Sequence, residues 1–177
     1  TRPQTRIAPF NDSIGMITMT IAIGDAIPAC TLKIMGAEGP QDITTAEIFK
    51  GKKVVLFALP GAFTPGCSKA HLPGYVVNAD KIKAKGVDTI ACLSVNDAFV
   101  MGAWGKAQNA SEILMLADGN GELTGLLGLG LDATGFGMGQ RSRRYSLVAE
   151  DGVVTQLNVE PGGEIGISAA EHMLQSL

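Results

Sequence analysis

Apolar positions along the chain change their period often enough to mark the elements one by one. "ACTLKIM" (29–35) reads as a strand, and "TTAEIFKG" (44–51) as a short helix opened by a Thr cap and closed by Gly51. "KVVLFAL" (53–59) is continuously apolar, as a strand buried on both faces is, and is expected at the sheet's centre. Pro60 and Gly61 end it. A loop "AFTPG" then leads into a helical stretch over about 67–85, which "HLPG" (71–74) interrupts and Pro73 is expected to kink. "VDTIACLSV" (87–95), "DAFVMGAWGKA" (97–107) and "EILMLAD" (112–118) follow as strand, helix and strand, giving βαβαβ with right-handed crossovers. Residues 119–139 hold eight glycines and predict loop with one helical turn around 123–129. "RRYSLVAEDGVVTQLNVE" (143–160) predicts an edge hairpin turning at Glu150-Asp151-Gly152. "SAAEHMLQSL" (168–177) predicts a terminal helix in which Ser168 and Glu171 form a capping box. The fold class is α/β.

Composition narrows the picture. A chain of 177 residues suits one domain that buries about 70% of its unfolded surface, so neither disulfide nor metal is needed for stability. Charged residues at 18% and 23 glycines predict a bland, self-associating surface. Net charge −3 argues against a nucleic-acid partner. The longest uncharged stretch, residues 54–68, is 15 long with two prolines and two glycines, too short for a membrane span of about 20 residues. Three cysteines without a CxxC spacing fit a reducing compartment and at least one free thiol. Arg2 and Arg6 precede the first acid, Asp12, so residues 1–18 read as an extension, a presequence remnant or an addition, ahead of a domain over 19–177.

The residue placed for chemistry is Cys67, where a buried parallel strand passes through a short loop into a helix. Unpaired N–H groups and the dipole at a helix N-terminus favour an anion, hence a thiolate, and open α/β sheets bind ligands at the carboxyl ends of their strands. The competing reading is a structural cysteine. Spacing removes several reactions. Cys67 stands where a P-loop needs Lys, Pro73 where a cysteine phosphatase needs Arg, and Ala70 where a dithiol oxidoreductase needs its second Cys. The histidines are His71, one helical turn beyond the thiol, and His172, without a partner in view. His71 is either a site residue or a helix-surface histidine preceding the proline. Thiolate attack with its charge handled by a hydroxyl and a guanidinium remains open, and the residues alone do not choose among Arg141, Arg143 and Arg144.

"LPGAFTPGCSKAHLPGY" (59–75) resembles the peroxiredoxin active-site signature P-x-x-x-T-x-x-C, and "AFTP" and "HLPG" resemble the type II, peroxiredoxin-five-like branch. "VNDAFVMGAWGK", "GLLGLGLD", "QRSRRYSLVAEDG" and "LNVEPGG" are similar to the same branch, so the likeness covers the chain from Met19 onward. It implies a thioredoxin-like fold, a central mixed sheet flanked by helices. It also implies a thiol peroxidase for hydrogen peroxide and organic hydroperoxides, working without cofactor or metal. By the same resemblance Cys67 is the peroxidatic cysteine, Thr64 the hydroxyl touching thiolate and peroxide, Pro60 the shield against water, and Arg144 the active-site arginine. Gly66 and His71 are substrate-pocket candidates. Gly66 departs from the Thr common in the family, which implies a more mobile loop.

Full ionisation raises a thiolate population on the order of 30-fold at neutral pH, and falling nucleophilicity cancels part of that gain. Transition-state binding must therefore supply the larger share. Cys92, 25 residues after Cys67, resembles the resolving cysteine of one branch of the family; its plain alternative is a small buried hydrophobe. Cys30 has no counterpart in the family. The resemblance further implies a homodimer with glutathione and glutaredoxin, or thioredoxin, as electron donor, in the cytoplasm or, if residues 1–18 are a targeting remnant, an organelle. The rival functions are a peroxide sensor or holdase using the same cysteine, and a phosphate-binding module on the Gly61–Gly66 loop.

Overall fold

The computed structural model describes residues 19–177, and the expected extension over 1–18 lies outside the described residues. Among the described residues nine strands form: β1 (Thr31–Gly36), β2 (Gly39–Thr44), β3 (Lys53–Ala58), β4 (Thr89–Ser94), β5 (Leu114–Ala117), β6 (Gly130–Asp132), β7 (Gln140–Ser142), β8 (Tyr145–Glu150) and β9 (Val153–Val159). Seven of them make one sheet in the order β2-β1-β5-β4-β3-β8-β9, and β6 and β7 form a separate ribbon. β3, β4 and β5 are parallel, and antiparallel hairpins flank them, β1–β2 at one edge and β8–β9 at the other.

The helices are α1 (Thr45–Phe49), a π-helical turn (Cys67–His71) running into α2 (Leu72–Ala84), α3 (Ala98–Ala107), α4 (Glu122–Leu126) and α5 (Ala170–Ser176). Two apolar layers separate along β3 by the twofold alternation of a strand. Val55 and Phe57 join Cys92 and the inner faces of α2, α3 and α5, whereas Val54, Leu56 and Ala58 join α1 and α4. Val54 through Ala58 are fully buried, which accounts for the unbroken apolar run.

The strand over 53–59 lies one place from the sheet's centre, which β4 occupies. The shift comes from β2, "GPQDIT", an exposed polar edge strand that tolerates Pro40 because one side needs no partner. The hairpin turn falls where expected: Asp151 (φ 50°) and Gly152 (φ 78°) take the left-handed pair that matches strand twist. At Pro73 the irregularity is a widened turn. Leu72 N–H donates to the Cys67 carbonyl, five residues back, before the regular α-helix resumes with the proline in its first turn. The capping box at 168–171 does not form. Ala169 caps α5, and the buried Ser168 hydroxyl donates instead to Glu160.

Candidate active site

The site is built at the carboxyl ends of β3 and β4. The Ser94 hydroxyl and Ala62 N–H both donate to Asn96 Oδ1 (2.6 and 3.0 Å), tying the loop after β3 to the end of β4. Within that loop Phe63 holds a positive φ of 63°, a conformation a bulky side chain adopts only where its surroundings impose it. Gly61 is closely surrounded: a Cβ there would meet Arg141 Nη1 at 3.0 Å and the Thr64 methyl at 3.2 Å, so either side chain would have to give way. Pro60, half-buried, opens the loop directly after the strand.

Residues 65 and 66 are already helical, so Cys67 lies in a first turn, where N–H groups have no intrahelical acceptor. Ser68 N–H donates to the Thr64 carbonyl at 2.9 Å, and Trp104 Nε1 donates to Ser68 Oγ at 3.0 Å, packing α3 against this turn. The Thr64 hydroxyl donates to the Gly61 carbonyl at 2.7 Å, which leaves its oxygen lone pairs as acceptors. Gly66 takes ordinary helical angles (φ −65°, ψ −39°), and a Cβ there would stand 3.4 Å from Arg144 Nη2.

Arg144 arrives just ahead of β8, 77 residues along the chain, and Nη2 donates to Cys67 Sγ at 3.3 Å. Thiol and guanidinium are both buried. Nη1 lies 2.9 Å from His71 Nδ1, and since arginine only donates, Nδ1 is the acceptor. The ring's proton is therefore on Nε2, which donates to the Ser168 carbonyl at 3.1 Å. Burial first, and then the Arg144 charge, push the His71 pKa down to about 4, so the neutral tautomer is the one that fits. Arg144 Nε, on the same edge of the fork as Nη2, is buried and unpartnered among the described residues.

The arrangement brings Cys67, Arg144 and His71 into one buried unit, with Thr64 and Gly66 on the same loop. His71 is buried, not on the surface, and the hydrogen bond at its Nδ1 goes to the guanidinium. Phe57 supports it from β3, its ring centroid 5.1 Å from the imidazole and 4.0 Å from the stacked Tyr75 ring. Cys92 is fully buried in β4, with Phe57 and Met115 opposite it on the neighbouring strands. Burial first, and then Cys67, push its pKa up. Cys30 packs on the other face of the sheet. Ser168 and Glu160, which complete the unit from 97 residues along the chain and beyond β9, carry no signal of this role in the sequence. The Ser-x-x-Glu spacing at 168–171 points only to a cap.

A family model described as Redoxin matches residues 22–174. Peroxiredoxin-2E-2, chloroplastic, of Oryza sativa subsp. japonica is 51% identical over 167 residues, covering 91% of this chain and 74% of that protein. A crystal structure of reduced Prx3 in complex with H2O2 from Vibrio vulnificus superposes with a TM-score of 0.86 at 57% identity, covering 89% of this chain and 99% of that one. Peroxiredoxin 5 from Alvinella pompejana superposes at 0.78 with 37% identity, over 88% of this chain and 97% of that one.

Proposed function

This chain belongs to the redoxin family and, within it, to the type II peroxiredoxins, thioredoxin-fold thiol peroxidases, and from that premise we propose that Cys67 is its peroxidatic cysteine. The observation carrying the proposal is the Arg144 edge, with Nη2 at 3.3 Å on the sulfur and Nε–H beside it without a partner among the described residues. A peroxide oxygen approaching the thiolate meets a preorganised donor in a water-poor site, where charge stabilisation is strongest.

The Cys67 thiolate attacks one peroxide oxygen; the S–O bond forms as the O–O bond breaks. Sulfur loses two electrons to become a sulfenic acid, and the departing alkoxide or hydroxide takes a proton to leave as alcohol or water. Arg144 stabilises the charge moving onto the leaving oxygen, Thr64 accepts the proton-bearing end of the peroxide, and Pro60 shields the sulfur from water. A thiol then condenses with the sulfenic acid, releasing water, and a second thiol restores Cys67. Substrates of this reading are hydrogen peroxide and small organic hydroperoxides. Supporting the first is the relative whose structure holds H2O2.

Glutathione with glutaredoxin, or thioredoxin, supplies the resolving thiol. Cys92 is the internal alternative, but a disulfide needs Cα atoms within about 7 Å and the Cys67 turn would have to unwind toward the sheet. A homodimer is part of the proposal, and exposed Phe63 and Phe99 supply apolar surface for it. A thiol-reducing compartment, cytoplasm or organelle, completes it.

The deciding experiment is peroxide consumption with glutathione plus glutaredoxin, and separately with thioredoxin plus its reductase. Turnover with either donor that is lost in Cys67→Ser is expected. Turnover persisting in Cys67→Ser overturns the assignment.

A further inference from the structure

Glu160 lies at the end of β9, away from the reacting atoms, yet a chain of hydrogen bonds between buried groups connects it to the guanidinium. Its Oε2 accepts from Gly166 N–H (2.7 Å), Ser168 N–H (2.9 Å) and the Ser168 hydroxyl (2.6 Å). Glu160 and Ser168 are 3% and 0% exposed, so the two bonds from Ser168 are made out of water. Burial pushes the carboxyl up, but the Ser168 hydroxyl and the N–H groups of Gly166, Ser168 and Ile167 outweigh it and hold it below the usual carboxylate range. No cation pairs with this carboxylate among the described residues; its charge is spent on ordering the 166–168 loop.

The ordered loop aims one carbonyl inward. Ser168 C=O accepts from the Tyr75 hydroxyl at 2.7 Å and from His71 Nε2–H at 3.1 Å. Because that carbonyl can only accept, it fixes the imidazole tautomer and leaves Nδ1 to receive Arg144 Nη1. The Glu160 main chain grips the same arginine from the other end, its N–H donating to the Arg144 carbonyl at 3.0 Å. Glu160 therefore holds both ends of Arg144, the backbone directly and the side chain through Ser168 and His71.

We propose that Glu160 is a positioning residue for peroxide reduction, orienting Arg144 on Cys67 through the Ser168 carbonyl and His71. The proposal rests on the reading of Cys67 as the peroxidatic cysteine and of Arg144 as the donor to the peroxide. A group that only stiffens the fold would lower stability and leave the chemistry of the thiol as it was. A positioning group must slow the reaction that uses Arg144 more than one that does not.

The test compares two reactions of the same thiol in the full chain: oxidation of Cys67 by hydrogen peroxide in stopped flow, and its alkylation by iodoacetamide. In Glu160→Ala the peroxide rate constant should fall about 10- to 100-fold, the scale of an ångström-sized misplacement, while alkylation stays within about threefold. Glu160→Gln keeps a side-chain oxygen for the Ser168 and Gly166 N–H groups and should recover most of the peroxide rate. If Glu160→Ala does not fold, Ser168→Ala removes one of the three bonds, and a loss of about 3- to 10-fold in the peroxide rate alone is expected. A peroxide rate equal to the parent's in the folded variant, or equal losses in both reactions, overturns the proposal. Activity in Cys67→Ser would instead remove the premise, so the two failures are separable.

Discussion

Cys67 and Cys92 are both fully buried and belong to the same apolar layer, yet their surroundings prepare them for opposite chemistry. Cys92 sits mid-strand with ladder partners on both sides and apolar neighbours, and burial holds its proton on. Cys67 sits in the first turn of a helix with a guanidinium at 3.3 Å. Burial by itself makes a thiol inert. What makes the Cys67 corner different is a supply of fixed donors that costs no reorganisation when charge appears.

The severest way to break this contrast is to exchange the fates of the two thiols. Cys67→Ser should remove peroxidase turnover by more than about 10³-fold, since a hydroxyl is not ionised at neutral pH. Cys92→Ala should keep turnover within a few-fold of the parent, and its loss to the level of Cys67→Ser would make Cys92 a reacting residue. Next in size is Arg144→Ala, expected to slow peroxide oxidation of Cys67 by about 10²- to 10³-fold, with Arg141→Ala much milder. Equal losses in the two arginine variants would assign the donor wrongly.

Smaller effects sharpen the comparison. His71 has a folded pKa of about 4, below its unfolded value near 6.5, so above that value it adds nothing to the pH dependence. Below it the unfolded chain binds the proton first, and stability should fall by about 2 kcal/mol between pH 7 and 5. Denaturant unfolding at the two pH values checks this, and His71→Gln should lack that increment. Smallest is Gly66→Ala. The backbone there is already helical and the new methyl stands 3.4 Å from Arg144 Nη2, so a gain of about 0.5 to 1 kcal/mol is expected with peroxidase activity kept.

The parts of the fold legible in the sequence were those whose signal is local. β3 and β4 show as apolar runs because both their faces are covered, and the β8–β9 turn shows because Asp151 and Gly152 suit left-handed angles. β2, β6 and β7 carry no such mark, since β2 is a polar, largely exposed edge strand and β6 and β7 are three residues each, and all exist because a partner pairs with them. The site divides in the same way. Cys67 stands out at a strand-to-helix elbow, whereas Arg144 needed the family register to be chosen over its neighbours. Roles that depend on distant partners stayed hidden. His71 stays open between a site residue and a surface residue until Arg144 and Ser168 meet it, and Ser168 satisfies a local capping pattern that the Glu160 carboxylate overrides.

The central claim is that donor placement, and not burial, selects Cys67 among the three cysteines. It is tested most directly by treating the reduced protein with one equivalent of hydrogen peroxide in the presence of a sulfenic-acid trap and mapping the label by mass spectrometry. The account predicts label on Cys67, with Cys30 and Cys92 unmodified. Label on Cys92 or Cys30 while Cys67 remains a free thiol would contradict it.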